Sequence, residues 1–345
     1  MPRTYSNSES AQQAIALVNA LQQRFVTKLE ALSKTHAHDD TFKPYEWLRE
    51  GGQFGGGVRY MAPAGGIFNR ASVNVSHVHY TGASDKPLDS ATAISTIIHP
   101  ANPYAPSIHI HISWTEMKTG HGYWRIMADL NPANPIAEDQ QAFEQHLQSA
   151  AGELYLPGKA QGEKYFYIPA LKRHRGVSHF YLETYCTEDP QADYELARKM
   201  GETAIDTYIG ILTQALDTRL DVDEEGLQQQ RDYHTLYLFQ VLTLDRGTTA
   251  GLLVHNENDI GIMASLPARV NKALLTSWRD RLESPQDELL DAIAAELPDD
   301  TEVEISDDIK RRLADVVRQH YLQYPQALAL QAKGNVVPPT VENHR

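Results

Sequence analysis

The chain predicts an α+β fold, an antiparallel-rich sheet with helices packed on it. Two observations carry this expectation. Short β-like runs recur over residues 66–80, 92–98, 107–116, 122–130, 164–169, 177–186, 233–244, 250–255 and 259–265, bounded by turn-forming residues. Long helical patterns interrupt them at about 136–154 and 189–217, the arrangement of a sheet covered by helices.

The first element is a helix. Ile15, Val18, Leu21, Phe25, Leu29 and Leu32 recur at helical spacing over residues 10–33, behind a Ser10-x-x-Gln13 capping box. Gly51-Gly52-Gln53-Phe54-Gly55-Gly56-Gly57 follows. It lacks the Lys-Ser/Thr of a phosphate-binding loop, so it reads as a hinge or a close backbone approach. Residues 94–111 then form the most informative stretch: an apolar run, the loop His99-Pro100-Ala101-Asn102-Pro103-Tyr104-Ala105-Pro106, and a second run with histidines at alternate positions. This is a strand, a tight crossover and a strand, with His109 and His111 on one face.

After Pro267 the pattern turns helical again, at 286–297 and 306–324 around the acidic linker Pro298-Asp299-Asp300-Thr301-Glu302. The organisation expected is an α+β domain over 1–275, a helical extension over 276–333, and a frayed tail over 334–345.

Composition narrows the function. The 345 residues are 41% hydrophobic, ample for a packed core, and the formal net charge of −14 with no Lys/Arg cluster argues against a nucleic-acid partner. A single cysteine, Cys186, permits no intrachain disulfide and no CxxC motif. The first residues carry no apolar signal region and no window approaches 18 uninterrupted apolar residues, so a soluble, cytoplasmic protein is expected.

Residues 94–113 resemble the core of the oxygen-dependent coproporphyrinogen III oxidases, whose pattern is roughly G-V-S-S-V-I-H-P-x-N-P-x-x-P-T-x-H-x-N-x-R. Ser95, His99, Pro100, Asn102, Pro103, Pro106 and His109 match it, while His111 and Ser113 stand where that family carries Asn and Arg. Four further blocks follow the family's order: Gly66 to His79, Trp124 to Pro132, Tyr165 to Val177, and Asp245-Arg246-Gly247-Thr248 with Ile262 to Pro267. The resemblance implies a flat antiparallel sheet between helices, a homodimer, and a deep pocket on one side of the sheet. It implies an O2-dependent oxidation that turns propionates of a reduced tetrapyrrole into vinyl groups, releasing CO2 and peroxide, with no metal or organic cofactor required. It also implies that Asp129 binds pyrrole N–H groups, and that Arg175, His109 and Ser95 hold carboxylates or a proton-transfer network.

The same residues have readings of their own. Asp129 ends a strand, where it can act as a base if burial raises its pKa, or can cap the Asn131-Pro132 bend. Arg175 can grip a carboxylate bidentately. Arg125, on the neighbouring strand, stands in for the Arg missing at Ser113. A basic approach to the late strand is replaced by Tyr233-His234-Thr235-Leu236, which puts tetrapyrrole recognition in question. His77, His111 and His179 are additional imidazoles. If His77, His79, His109 and His111 converge, they form a site for one Fe, Cu, Mn or Zn ion, with Asp129 or Glu183 as a carboxylate ligand. Two rivals therefore stand beside the oxidase: a paralogue that oxidises a smaller substrate through a bound metal, and a silent tetrapyrrole- or haem-binding protein.

Overall fold

The computed structural model describes residues 2–83 and 85–344. Helix α1 (Glu9–Thr35) opens the chain. Strands β1 (Lys43–Leu48), β2 (Gly55–Ala62), β3 (Phe68–His79), β4 (Leu88–Pro100), β5 (Ser107–Met117) and β6 (Gly122–Asn131) follow. Helices α2 (Ala137–Ala151) and α3 (Tyr155–Phe166) lead to the two-residue strands β7 (Tyr167–Ile168) and β8 (Arg173–His174), then to β9 (Ser178–Tyr185). The order β1-β2-β3-β4-β5-β6-β9 forms one seven-stranded sheet, antiparallel at every pairing.

The sheet's two faces separate by residue parity, because successive side chains on a strand point to opposite sides. Val73, Val75, Ile94, Ile110, Ile112, Ile126, Ala128 and Phe180 pack with Leu21, Phe25 and Leu29 of α1 and with Ile205 and Tyr208 of α4 (Pro190–Thr218) in one buried core. On the other face, the cross-strand row Ser72, Ile97, His109, Asp129 and His179 runs beside the row Asn74, Ser95, His111, Met127 and Tyr181. Apart from Ile97 and Met127, the side chains in these two rows are polar.

Covering that face are α5 (Glu224–Thr243), α6 (Arg246–Val254), α7 (Asp259–Ile262), α8 (Lys272–Thr276), α9 (Gln286–Ala295) and α10 (Asp307–Gln323). Ile97 of the sheet, Tyr237 and Phe239 of α5, Leu289 of α9 and Leu313 of α10 belong to a second core. Among the described residues no helix is long and apolar enough to cross a membrane.

Several local expectations change. Residues 233–244 and 250–255 are helical, and 259–265 is a helical turn followed by a 3-10 turn. Every residue from Tyr233 to Leu244 is buried, because α5 lies between the sheet and the C-terminal helices. A helix that is apolar all round has lost the periodicity that distinguishes it from a strand. Of residues 164–169, the first three end α3 and only Tyr167–Ile168 form a strand, β7. Ser8, not Ser10, caps α1, accepting from the Ala11 amide at 3.4 Å.

The glycine run starts β2, where a Cβ on Gly57 would lie 2.3 Å from the Val75 carbonyl and 2.5 Å from Trp47 Nε1, so close backbone approach is its role. Where fraying is expected, Thr340–Asn343 forms the short helix α11, with Val341 buried. Buried Val341 and packing against α6 hold it to the body of the molecule.

Candidate functional site

Asp129 lies at the middle of the polar face. It is directly opposite His109 on β5 and His179 on β9, and it has no exposed surface. One carboxylate oxygen accepts from His109 Nδ1 at 2.7 Å, and the other accepts from Arg175 Nη2 at 2.7 Å and Asn131 Nδ2 at 2.6 Å. Burial alone would raise its pKa, but the Arg175 guanidinium, then His109, outweigh it and hold the carboxyl well below the usual carboxylate range.

Asp129 is therefore a fixed anion and not a base with a raised pKa. Among the described residues no backbone amide of the Asn131-Pro132 bend donates to its carboxylate; Asn131 reaches it through the side-chain Nδ2.

Arg175 reaches this point from the loop between β8 and β9. Gly176 makes the turn with φ +80, and a Cβ there would lie 2.3 Å from Asn131 Oδ1 and 2.6 Å from the Leu130 carbonyl. The guanidinium sits over the Phe166 ring at 4.6 Å and the Tyr237 ring at 5.0 Å, which fixes its plane. Burial works against its charge, yet Asp129 and the surrounding tyrosines raise its pKa. Its Nε is buried and unpartnered among the described residues.

A cavity of about 260 Å³ opens against these groups, lined by His109, His111, Ser95, Arg125, Arg175 and Tyr237 among others. All the sequence-predicted site residues of strands β4 to β6 thus come together. Asp129 is the exception in detail: it stands behind His109 and Arg175 and is not part of the wall. An ionised Asp129 must accept, so His109 Nδ1 carries the proton and Nε2 is left for the cavity side. His111 bonds Ser113 Oγ at 3.0 Å, and burial, then Arg125, push its pKa down to about 3, so it is neutral.

Arg125 stands directly across from Ser113 in register. Its guanidinium is paired with Glu183 at 2.6 Å. Tyr181 donates to the same carboxylate.

The proposed metal set does not converge. His77 and His79 occupy odd positions of β3, on the same face as Val73 and Val75, whereas His109 and His111 lie on the face of Asn74 and Ser95. His77 bonds Thr92 Oγ1 at 2.8 Å and the Ser6 amide at 3.0 Å, and burial pushes it down to about 3. Among the described residues no group of three His, Cys, Asp or Glu side chains has the geometry of a metal site. His179 faces the pocket side but is held by Glu163 at 3.0 Å and by the Arg175 carbonyl under α3.

Sequence reasoning missed Asn131 as a support for Asp129, Tyr237 as the ring under Arg175, and Arg246 of the Asp-Arg-Gly-Thr block as part of the cavity wall. That block was the available signal for Arg246. Nothing in the linear pattern pointed to Thr340, which also lines the cavity.

An antiparallel sheet that presents an imidazole and a guanidinium to a helix-covered pocket, with a buried carboxylate behind both, defines the architecture. A model of the family described as coproporphyrinogen III oxidase matches residues 13–297. The chain belongs to that family. It is 26% identical over 281 residues to the oxygen-dependent coproporphyrinogen-III oxidase, mitochondrial, of Rattus norvegicus, over 74% of this chain and 61% of the relative. The chain thus spans somewhat under two thirds of that relative's length.

Proposed function

We propose that this protein is an oxidoreductase that uses O2 for oxidation or oxidative decarboxylation of a tetrapyrrole or a related electron-rich substrate. The observation that carries the reading is the His109–Asp129–Arg175 network on the floor of a pocket in a chain of this family. For each propionate arm the balance is R-CH2-CH2-COO⁻ + O2 + H⁺ giving R-CH=CH2 + CO2 + H2O2. Molecular oxygen takes the electron pair of the hydride lost from the ring-side carbon, a proton completes H2O2, and the pair from the broken C–COO⁻ bond becomes the vinyl double bond; no metal or organic cofactor is part of the reading.

Within that scheme Arg175 is the carboxylate holder, with its buried Nε as the free donor. His109 Nε2 relays a proton between substrate and cavity. Asp129 is a positioning residue that fixes the His109 tautomer and keeps Arg175 charged and oriented. Ser95, His111 and Arg125 shape the wall. The homodimer implied by the resemblance belongs to the same reading, as does a reducing, cytoplasmic setting, which accords with the exposed free thiol of Cys186.

The test is O2 uptake and peroxide release with coproporphyrinogen III, and with porphyrinogens that carry fewer carboxylates. Turnover is expected to be poor on coproporphyrinogen III and better with fewer carboxylates. Arg125 is already neutralised by Glu183, and each lost charged hydrogen bond weakens binding by about 1.5–3 kcal/mol. Efficient vinyl formation from coproporphyrinogen III would restore the parent specificity. No uptake with any porphyrinogen would overturn the activity.

A further inference from the structure

The segment after residue 333 lies beyond the family match, which ends at residue 297, yet it helps to build the family's pocket. The Pro338 carbonyl accepts from Arg246 Nη2 at 3.0 Å, and Thr340 Oγ1 accepts from Arg125 Nη2 at 3.2 Å. Arg125, Arg246 and Thr340 all line the cavity. Upstream, the Ala332 amide donates to the Leu244 carbonyl at 3.0 Å, and at the far end Tyr80 Oη meets His344 Nδ1 at 3.0 Å. Between these ends Gly334, Pro338, Val341 and Asn343 are buried and Asn335 accepts from Lys164 at 3.2 Å, but the rest is open. Val336 and Val337 are 44% and 56% exposed, and its one helix has four residues. A segment with so little buried apolar surface opens at low cost.

We infer that residues 334–344 form a strap whose oxygens occupy the cations of the pocket wall, Arg125 and Arg246, where ligand carboxylates would otherwise bind. Arg246 Nη1 is buried without a partner among the described residues, so the strap leaves this cation undersatisfied. A carboxylate supplies two charged acceptor oxygens where the strap supplies one neutral oxygen to Arg246, and charge-assisted bonds of this kind are about twice as strong; Arg125 keeps Glu183 as its counter-ion, so the competition is chiefly for Arg246. Polycarboxylate ligands therefore displace the strap, and ligands with fewer carboxylates fit beneath it. The inference deepens the oxidase reading and rests on it for the nature of the ligand.

The test uses the full chain, with Val341→Asp to undock the strap by placing a charge at a buried apolar position, and Thr340→Val to remove the oxygen at constant shape. The probes are coproporphyrin III, a stable tetracarboxylate followed by tryptophan quenching, and benzene-1,3,5-tricarboxylate. V341D is expected to bind the porphyrin about tenfold more tightly and T340V about threefold, the effect of one ordinary hydrogen bond. Bound porphyrin is also expected to speed tryptic release of the peptide that follows Lys333.

Equal or weaker porphyrin binding in both variants would overturn the strap and leave the tetrapyrrole reading standing. If no protein binds the porphyrin while V341D gains affinity for the tricarboxylate, the strap stands and the tetrapyrrole reading falls. No change with either probe overturns the strap.

Discussion

Replacing Asp129 by Asn is the most direct test of the site, because the carboxylate serves three partners at once. Its side chain is fully buried, and the Arg175 side chain is only 3% exposed. Removing one member of such a pair leaves a buried charge without its counter-ion, a loss of about 3–5 kcal/mol. An amide N–H turned toward Arg175 and Asn131 would face their donors, and one turned toward His109 would drive its proton to Nε2 and reverse the tautomer. The fold is expected to survive with that loss of stability, while turnover falls by more than about tenfold, which is about 1.4 kcal/mol of barrier.

Asp129→Asn, Arg175→Gln and the double variant form a cycle that can be read by guanidinium unfolding. The double variant is expected to lose less stability than the sum of the singles, since no unpaired charge remains. The acid limb of stability gives a second readout. A depressed carboxylate contributes stability that is complete above the ordinary carboxylate range near pH 3.9 and is lost as pH falls below it, so the variant should show a flatter acid limb. Additive single losses, or a single loss under about 1 kcal/mol, would show that Asp129 and Arg175 are not coupled as their geometry requires.

Gly176→Ala is expected to destabilise by more than about 1 kcal/mol and to lower activity, because the positive φ and the Asn131 and Leu130 oxygens leave no room for a methyl group; unchanged unfolding and activity would contradict this. For His77→Asn and His111→Asn, titration with Zn²⁺ or Mn²⁺ followed by calorimetry is expected to give the same weak binding as the parent chain, since these side chains lie on opposite faces of the sheet. A stoichiometric site abolished by either change would refute the register.

Legible in the residues alone were the strands from β3 to β6, the flanking helices, and the shared face of His109 and His111 on their strand. Alternation within a strand is a local property, legible wherever polar and apolar residues take turns. The family blocks carried Arg175 for the same reason of local pattern.

Tertiary structure decided the rest. Whether two His-x-His pairs meet depends on register between strands, which a single residue of phase reverses, and His77 and His79 fell on the far side. Asp129 became a permanent anion because of Arg175, 46 positions away, since burial and pairing push a carboxylate in opposite directions and only geometry says which prevails. Helix α5 looked like a strand because it is buried on every side, a condition imposed by elements that follow it in the chain. Thr340 entered the pocket through a loop closure of 215 positions to Arg125, a contact that no local pattern encodes.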